Sequence, residues 1–370
     1  MDVTEFDKLI RGKNINFLIG SGASAALYPT LSLGNDCPSF EDVVSHDNIS
    51  DKAKIFMYLY YFGKVIVPMA FGEKYEKSEG YRQYQKFMKL IYGFLGGESN
   101  ERPKRANIFS TNYDLMIERA CDAFLIEHPL ANFNDGSRGA FRRYVSNQNF
   151  YLNVTHSGYH DNYRREIPTV NLIKLHGSVS WIVDQDKILA VYDNAHIGSV
   201  WQKFDAVGIG FETIAKNIED CQEKETTVFV SRLNNIVSAA DLDMEKLKEF
   251  FTSYEKLPII NPDKRKFSST VFQQHYYQMI RSFSYELERK QSVLIVFGFS
   301  FADEHITDIF RRSLLNPELF VVIISYSPEE QERHKNLFRG YGNIKFLPGS
   351  YDNQKGDFAF LLSLLGENDE

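Results

Sequence analysis

A chain of 370 residues can bury a large core as one large domain or two ordinary ones, and 43% hydrophobic with 25% charged residues excludes a disordered or fibrous chain. A net charge of −7 argues against a surface built to coat nucleic acid, since phosphate binding draws on clustered Lys and Arg; no direct nucleic-acid partner is expected. Three widely spaced cysteines, Cys37, Cys121 and Cys221, cannot make a four-thiolate zinc site, and a disulfide framework is not expected in a reducing compartment.

The opening residues, MDVTEFDKLIRGKN, are charged and lack the apolar run of a signal peptide. No stretch reaches the length that crosses a bilayer, so the expectation is a cytoplasmic protein with no membrane partner. The first strand is INFLIG (15–20), ending in GSGAS. From about 45 to 105 the spacing of Ile55, Met57, Leu59, Phe62, Phe87, Leu90, Ile91 and Phe94 predicts helices, closed by a flexible linker, GGESNERPKR (96–105). The second strand, NIFSTN (107–112), ends in YD. The basic pairs Arg142–Arg143 and Arg164–Arg165 read as solvated faces. The third strand, NLIKLHG (171–177), ends in SVSW, and residues 181–193 read as a hairpin turning at Asp184–Lys187.

A second helical stretch covers about 200 to 290. It includes Ala239–Phe251, with Asp241 as N-cap, and FQQHYYQMIRSFSYELERK. Strands follow at SVLIVFG (292–298), ending in FSFADEH, and at LFVVIIS (319–325), ending in YSP. NIKFLPG (343–349) is short enough for an edge strand, and GENDE is a solvated tail. The continuously apolar strands suit a parallel sheet covered on both faces. The fold class expected is therefore α/β, a Rossmann-like parallel sheet over a single domain, 1–370. Helical insertions at about 45–105 and 200–290 would be layered over its ligand edge.

Ligands of such sheets bind beyond the carboxyl ends of the strands. Four exits carry polar or small groups: Ser21–Gly22, Asn112–Asp114, His176–Gly177–Ser178 and Ser300–Asp303. In GSGAS, Gly20 permits a tight turn and Gly22 a close approach to a pyrophosphate. Ala25 takes the third position of the fingerprint, and the helix expected next would offer its N-terminus. FSTNYD holds more polar groups than a cap by Thr111 or Asn112 requires. His176 at a strand exit, facing Asn112 and Asp114, reads as a base or hydroxyl partner. Asp303 reads first as the N-cap of the next helix, and His305 as a surface residue of that helix. Walker A, H-E-x-x-H and G-x-S-x-G signatures are missing, which removes NTP hydrolysis, zinc proteolysis and serine-esterase chemistry.

In their order, Gly20–Ser24, Thr111–Asp114, His176–Gly177 and Gly298–Ser300 resemble the motifs of the sirtuin superfamily. The resemblance is to its bacterial sirtuin-like branch of antiphage defence. NLIKLHGSVSW, PIINPDKRKF (258–267) and VLIVFGFSFADEHI together resemble most the sirtuin-like subunit that works beside a HerA-type hexameric ATPase. The likeness covers the sheet strands but not the helical insertions. It implies NAD as substrate and cleavage of its nicotinamide–ribose bond, in homo-oligomers joined to a HerA-type ATPase. Carried over residue by residue, it implies Asn112 on the ribose or the water, Asp114 on the nicotinamide amide and His176 as general base. Gly20, Ser21, Gly22, Ala23, Ser24, Thr111, Gly298, Ser300 and Ser325 would hold the cofactor. Two departures favour hydrolysis over deacylation. Only Cys221 follows the His-Gly pair, so no zinc module is expected. Pro38–Ser39–Phe40–Glu41 stands where the family has an arginine-bearing segment.

The tyrosines and phenylalanine at 58, 60, 61 and 62 fit either an oligomer interface or ordinary core. Three further functions remain open: an NAD or ADP-ribose sensor without turnover, a protein ADP-ribosyltransferase, and a scaffold with a dead site.

Overall fold

The computed structural model describes residues 2–34, 37–71, 75–99, 103–261, 270–352 and 354–367. Seven strands form the main sheet: β1 (Asn14–Ile19), β2 (Arg105–Ser110), β3 (Asn132–Asn134), β4 (Thr169–Lys174), β5 (Ser292–Phe297), β6 (Leu319–Ile324) and β7 (Ile344–Leu347). Their order is β7-β6-β5-β1-β2-β4-β3, and every pairing is parallel. The strand order reverses between β1 and β5, so the ligand crevice of a Rossmann-like sheet is expected beyond those two exits. β7 is the edge strand expected at NIKFLPG. The opposite edge, β3, is only three residues long and carries no apolar run, which is why its sequence does not announce it.

Alternate residues of each strand feed two cores. Phe17, Ile108, Leu172 and Ile295 face one layer, and Leu18, Phe109, Ile173 and Leu294 the other. The first layer contains Glu79–Gly97, whose Phe87 meets Phe17 edge-on at 5.2 Å. The second contains Thr270–Glu288, whose Phe283 meets Phe109 at 4.9 Å. An asparagine ladder crosses the strands near their starting ends. Asn107 donates to Asn16, Asn171 to Asn107 and Asn134 to Asn171, each at 2.9 Å, and Asn16 donates to Ser292 at 3.0 Å. Parallel pairing in register stacks like residues, so each buried amide finds its partner on the neighbouring strand.

The hairpin forms as expected, Trp181–Asp184 against Lys187–Ala190, and continues into a small antiparallel sheet with Arg143–Val145 and Ser137–Arg138. Arg142 and Arg143 pair with Asp184 and Asp135.

Several local expectations are corrected. Ser21–Ser24 is a single 3-10 turn, and the chain then runs into Pro29, so no α-helix follows GSGAS. Ala239 ends one helix (Thr226–Ala239), and the next, Met244–Tyr254, is capped by Asp243 rather than Asp241. That start puts Leu247, Phe250 and Tyr254 on one buried face. Gly96 and Gly97 belong to the helix Glu79–Gly97, which shortens the expected linker; its residues 100–102 lie outside the described residues. So do 262–267 of PIINPDKRKF and 368–370 of the tail. Tyr58, Tyr60, Tyr61 and Phe62 are all buried within this one chain, Tyr58, Tyr61 and Phe62 packed on Phe40, Phe250, Phe251 or Tyr254 and Tyr60 stacked on Phe211, so they are core and not an oligomer surface. Among the described residues no helix is long and apolar enough to cross a membrane, and no group of three or more His, Cys, Asp or Glu is placed to hold a metal.

Candidate active site

Two cavities open beyond the carboxyl ends of the strands, of about 300 Å³ and about 630 Å³. Both are lined by Ser21, Thr30, Gly298 and Ser300, which form the wall between them. The wall rests on glycines packed backbone to backbone. A Cβ on Gly20 would lie 2.4 Å from the Gly298 carbonyl oxygen, and one on Gly22 would lie 2.9 Å from Gly298 Cα. Gly298 itself has φ +63°, a left-handed conformation that favours glycine. The Gly22 N–H donates to the Gly298 carbonyl at 2.9 Å. That donor is therefore spent on loop–loop contact. Gly20 lines neither cavity.

The smaller cavity is lined from all four exits. Asn112, from the β2 exit, is buried; its Nδ2 donates to Ser24 Oγ at 3.3 Å, while its Oδ1 has no partner. A buried carbonyl oxygen without a donor is costly unless a ligand supplies one. Asp114 is only 2% exposed, and its two oxygens accept from Ser24 Oγ at 2.7 Å and from the Met116 N–H at 3.0 Å. It thus holds the first N–H of the helix Met116–Glu127 and anchors Ser24, while lining the cavity beside Asn112. Ser24 Oγ also lies 2.7 Å from the Tyr84 hydroxyl. Thr111 lines the same cavity, held by its N–H to the Ile19 carbonyl at 3.0 Å.

His176 reaches the cavity from the β4 exit. Its Nε2 lies 3.1 Å from Asp303 Oδ2, without hydrogen-bond alignment. It lines the same cavity as Asn112 and Asp114, and the carboxylate beside its Nε2 comes from the β5 exit. Asp303 does both jobs, since its Oδ1 caps the helix Glu304–Ser313 through the Ile306 N–H at 3.0 Å. His305 is exposed on that helix.

Tyr61, Val65 and Met69 roof the cavity from the first helical insertion, where Asp51–Tyr61 passes into a π-helical turn, Phe62–Ile66. Such turns widen the helix and are frequent at functional sites. Tyr28 and Tyr113 complete the wall. Burial pushes the Tyr113 phenol up to about 12, and burial with Asp114 nearby raises that of Tyr28, so both stay protonated. The Tyr28 hydroxyl has no partner.

The larger cavity is lined by Gly22 and Ala23 of the first exit and by Tyr326, Glu330 and Asp357. Among the described residues neither cavity is lined by lysine or arginine. Ser325, expected to hold the cofactor, lines neither cavity: it is fully buried and lies 2.9 Å from His334 Nδ1.

Under the smaller cavity lies a pair that sequence reasoning missed. Lys174, the last residue of β4, is 4% exposed and sits 3.2 Å from Glu118 Oε1. Its Nζ also donates to the carbonyls of Asn112, at 3.3 Å, and of Asp114. A charged residue closing a fully buried strand directly after Leu172 and Ile173, two before His176, was the available signal. No protein-family model matches the chain, and no curated protein matches it either.

Proposed function

We propose that this chain binds NAD across the two cavities and hydrolyses the bond between nicotinamide and ribose, as its resemblance to sirtuin-like NADases implies. The observation that carries this reading is the composition of the smaller cavity. The unpartnered Asn112 Oδ1, the His176–Asp303 pair and three tyrosines meet there with no lysine or arginine among the lining residues. A cationic heteroaromatic ring on a ribose suits that lining: carboxylates and aromatic faces favour the cation, and Asn112 accepts from a hydroxyl. The larger cavity, across the Ser21–Ser300 wall, offers Glu330 and Asp357 to the hydroxyls of a second ribose.

In the reaction, the bond from C1′ to the nicotinamide nitrogen breaks with its electron pair going to the ring, which leaves neutral. Water supplies the oxygen that bonds C1′, and His176 takes the proton. Asp303 steadies the imidazolium that results. Hydrogen bonds of this kind commonly align only when substrate is bound. The products are nicotinamide, ADP-ribose and a proton. Following the resemblance, this activity serves antiphage defence by depleting NAD, in a homo-oligomer beside a HerA-type ATPase.

Nicotinamide release from NAD by the purified chain, alone and with such an ATPase, tests the reading. His176→Ala and Asn112→Ala should each lower release by about 10²–10⁴-fold with the thermal midpoint unchanged. Undiminished release in both variants would remove the assignment, and NAD binding without release in the wild type would favour a sensor.

A further inference from the structure

We propose that the buried Lys174–Glu118 pair is a positioning device for the Asn112–Asp114 turn, holding the turn's carbonyls from below while its side chains serve the cavity above. The inference deepens the NADase reading, on which its catalytic consequence rests. Lys174 has three donors, and each has a taker: the Asn112 carbonyl, the Asp114 carbonyl and Glu118 Oε1. A tripod of this kind fixes the turn in three directions. The same strand end then delivers His176 two residues on, so base and turn share one support.

The pair is poorly explained as a stabilising contact. Buried ion pairs are commonly no better for stability than apolar residues of the same volume. This one also leaves Glu118 Oε2 buried without a partner, beside a cavity of about 420 Å³ lined by Arg119, Asp122, Asp135, Arg143 and Tyr192. What the pair does supply is geometry: displacement of a reacting group by about 1 Å costs on the order of 100-fold in rate.

The test is the double variant Lys174→Met/Glu118→Leu, which removes both charges and keeps the volume, with Glu118→Gln as a milder companion. Hydrogen–deuterium exchange of the segment 111–116 reads the turn without any substrate. Exchange there should quicken by about tenfold in the double variant and less in Glu118→Gln, with β1 and β5 unchanged. Nicotinamide release should fall by about 100-fold in the double variant while ADP-ribose affinity stays within a few-fold. Unchanged exchange of 111–116 overturns the inference whatever the enzyme does, as does quickening spread equally over β1 and β5. Absence of release in the wild type sinks the NADase reading and leaves the exchange result to stand or fall alone.

Discussion

Glu118 shows at the scale of one residue how burial sets a titration. Desolvation pushes its carboxyl up from the ordinary value to about 7, against the pull of Lys174. A carboxyl held above its unfolded value favours the folded state most when both states are protonated. Its contribution is therefore complete below about pH 4.5 and is lost as pH rises through about 7. The thermal midpoint of the wild type, measured relative to Glu118→Gln, should decline from pH 5 to 7.5 and then level off; a flat difference across that range would refute the assignment. The same residue marks a boundary of what could be read from sequence. Asn112 and His176 were legible because each follows a continuous apolar run, where a polar group has no structural reason to be. The pairing of His176 with Asp303 and of Lys174 with Glu118 was not, because each joins segments far apart in the sequence that only the fold brings together. Gly22 was legible as a glycine that matters, yet its partner is another loop.

At the scale of elements, six of the seven strands were visible as apolar runs, and the parallel sheet followed from their lack of alternation. The asparagines inside those runs carried a signal that apolar periodicity ignores. Asn16, Asn107 and Asn171 are direct neighbours across β1, β2 and β4, and Asn134 extends the row to β3. A slip of one residue in any of these strands would break the row and expose buried amides to apolar neighbours, so the ladder fixes register. Asn107→Leu should cost about 1–3 kcal/mol, because it leaves Asn16 Oδ1 without its donor and takes one acceptor from Asn171. Urea unfolding should show a lower midpoint at an unchanged slope; a midpoint equal to wild type would mean that the row is incidental. The helix expected after GSGAS failed for a related reason. The fingerprint reads local turn chemistry, whereas here the turn is shaped by its fit against Gly298.

At the scale of the molecule, the helical insertion supplies the roof and the sheet supplies the floor, so chemistry and access come from different segments of the chain. Burial of Tyr58, Tyr60, Tyr61 and Phe62 moves any assembly surface elsewhere. Phe141, Tyr159 and Ile126 stand 102%, 90% and 84% exposed and are the side chains on which the proposed self-association can be tested. On the proposed reading, light scattering should give a mass above one chain that falls on Phe141→Ser or Ile126→Ser and is insensitive to Tyr60→Phe. A single-chain mass with and without the ATPase would count against assembly. The wall of Ser21, Thr30, Gly298 and Ser300 also has a meaning for inhibitor chemistry. Two unrelated fragments, one under Tyr61, Val65 and Met69 and one beside Tyr326, would occupy separate chambers whose spacing is set by interlocked glycine backbone. A linker passing over the two serines would join them into one compound, and its optimal length would report that spacing directly.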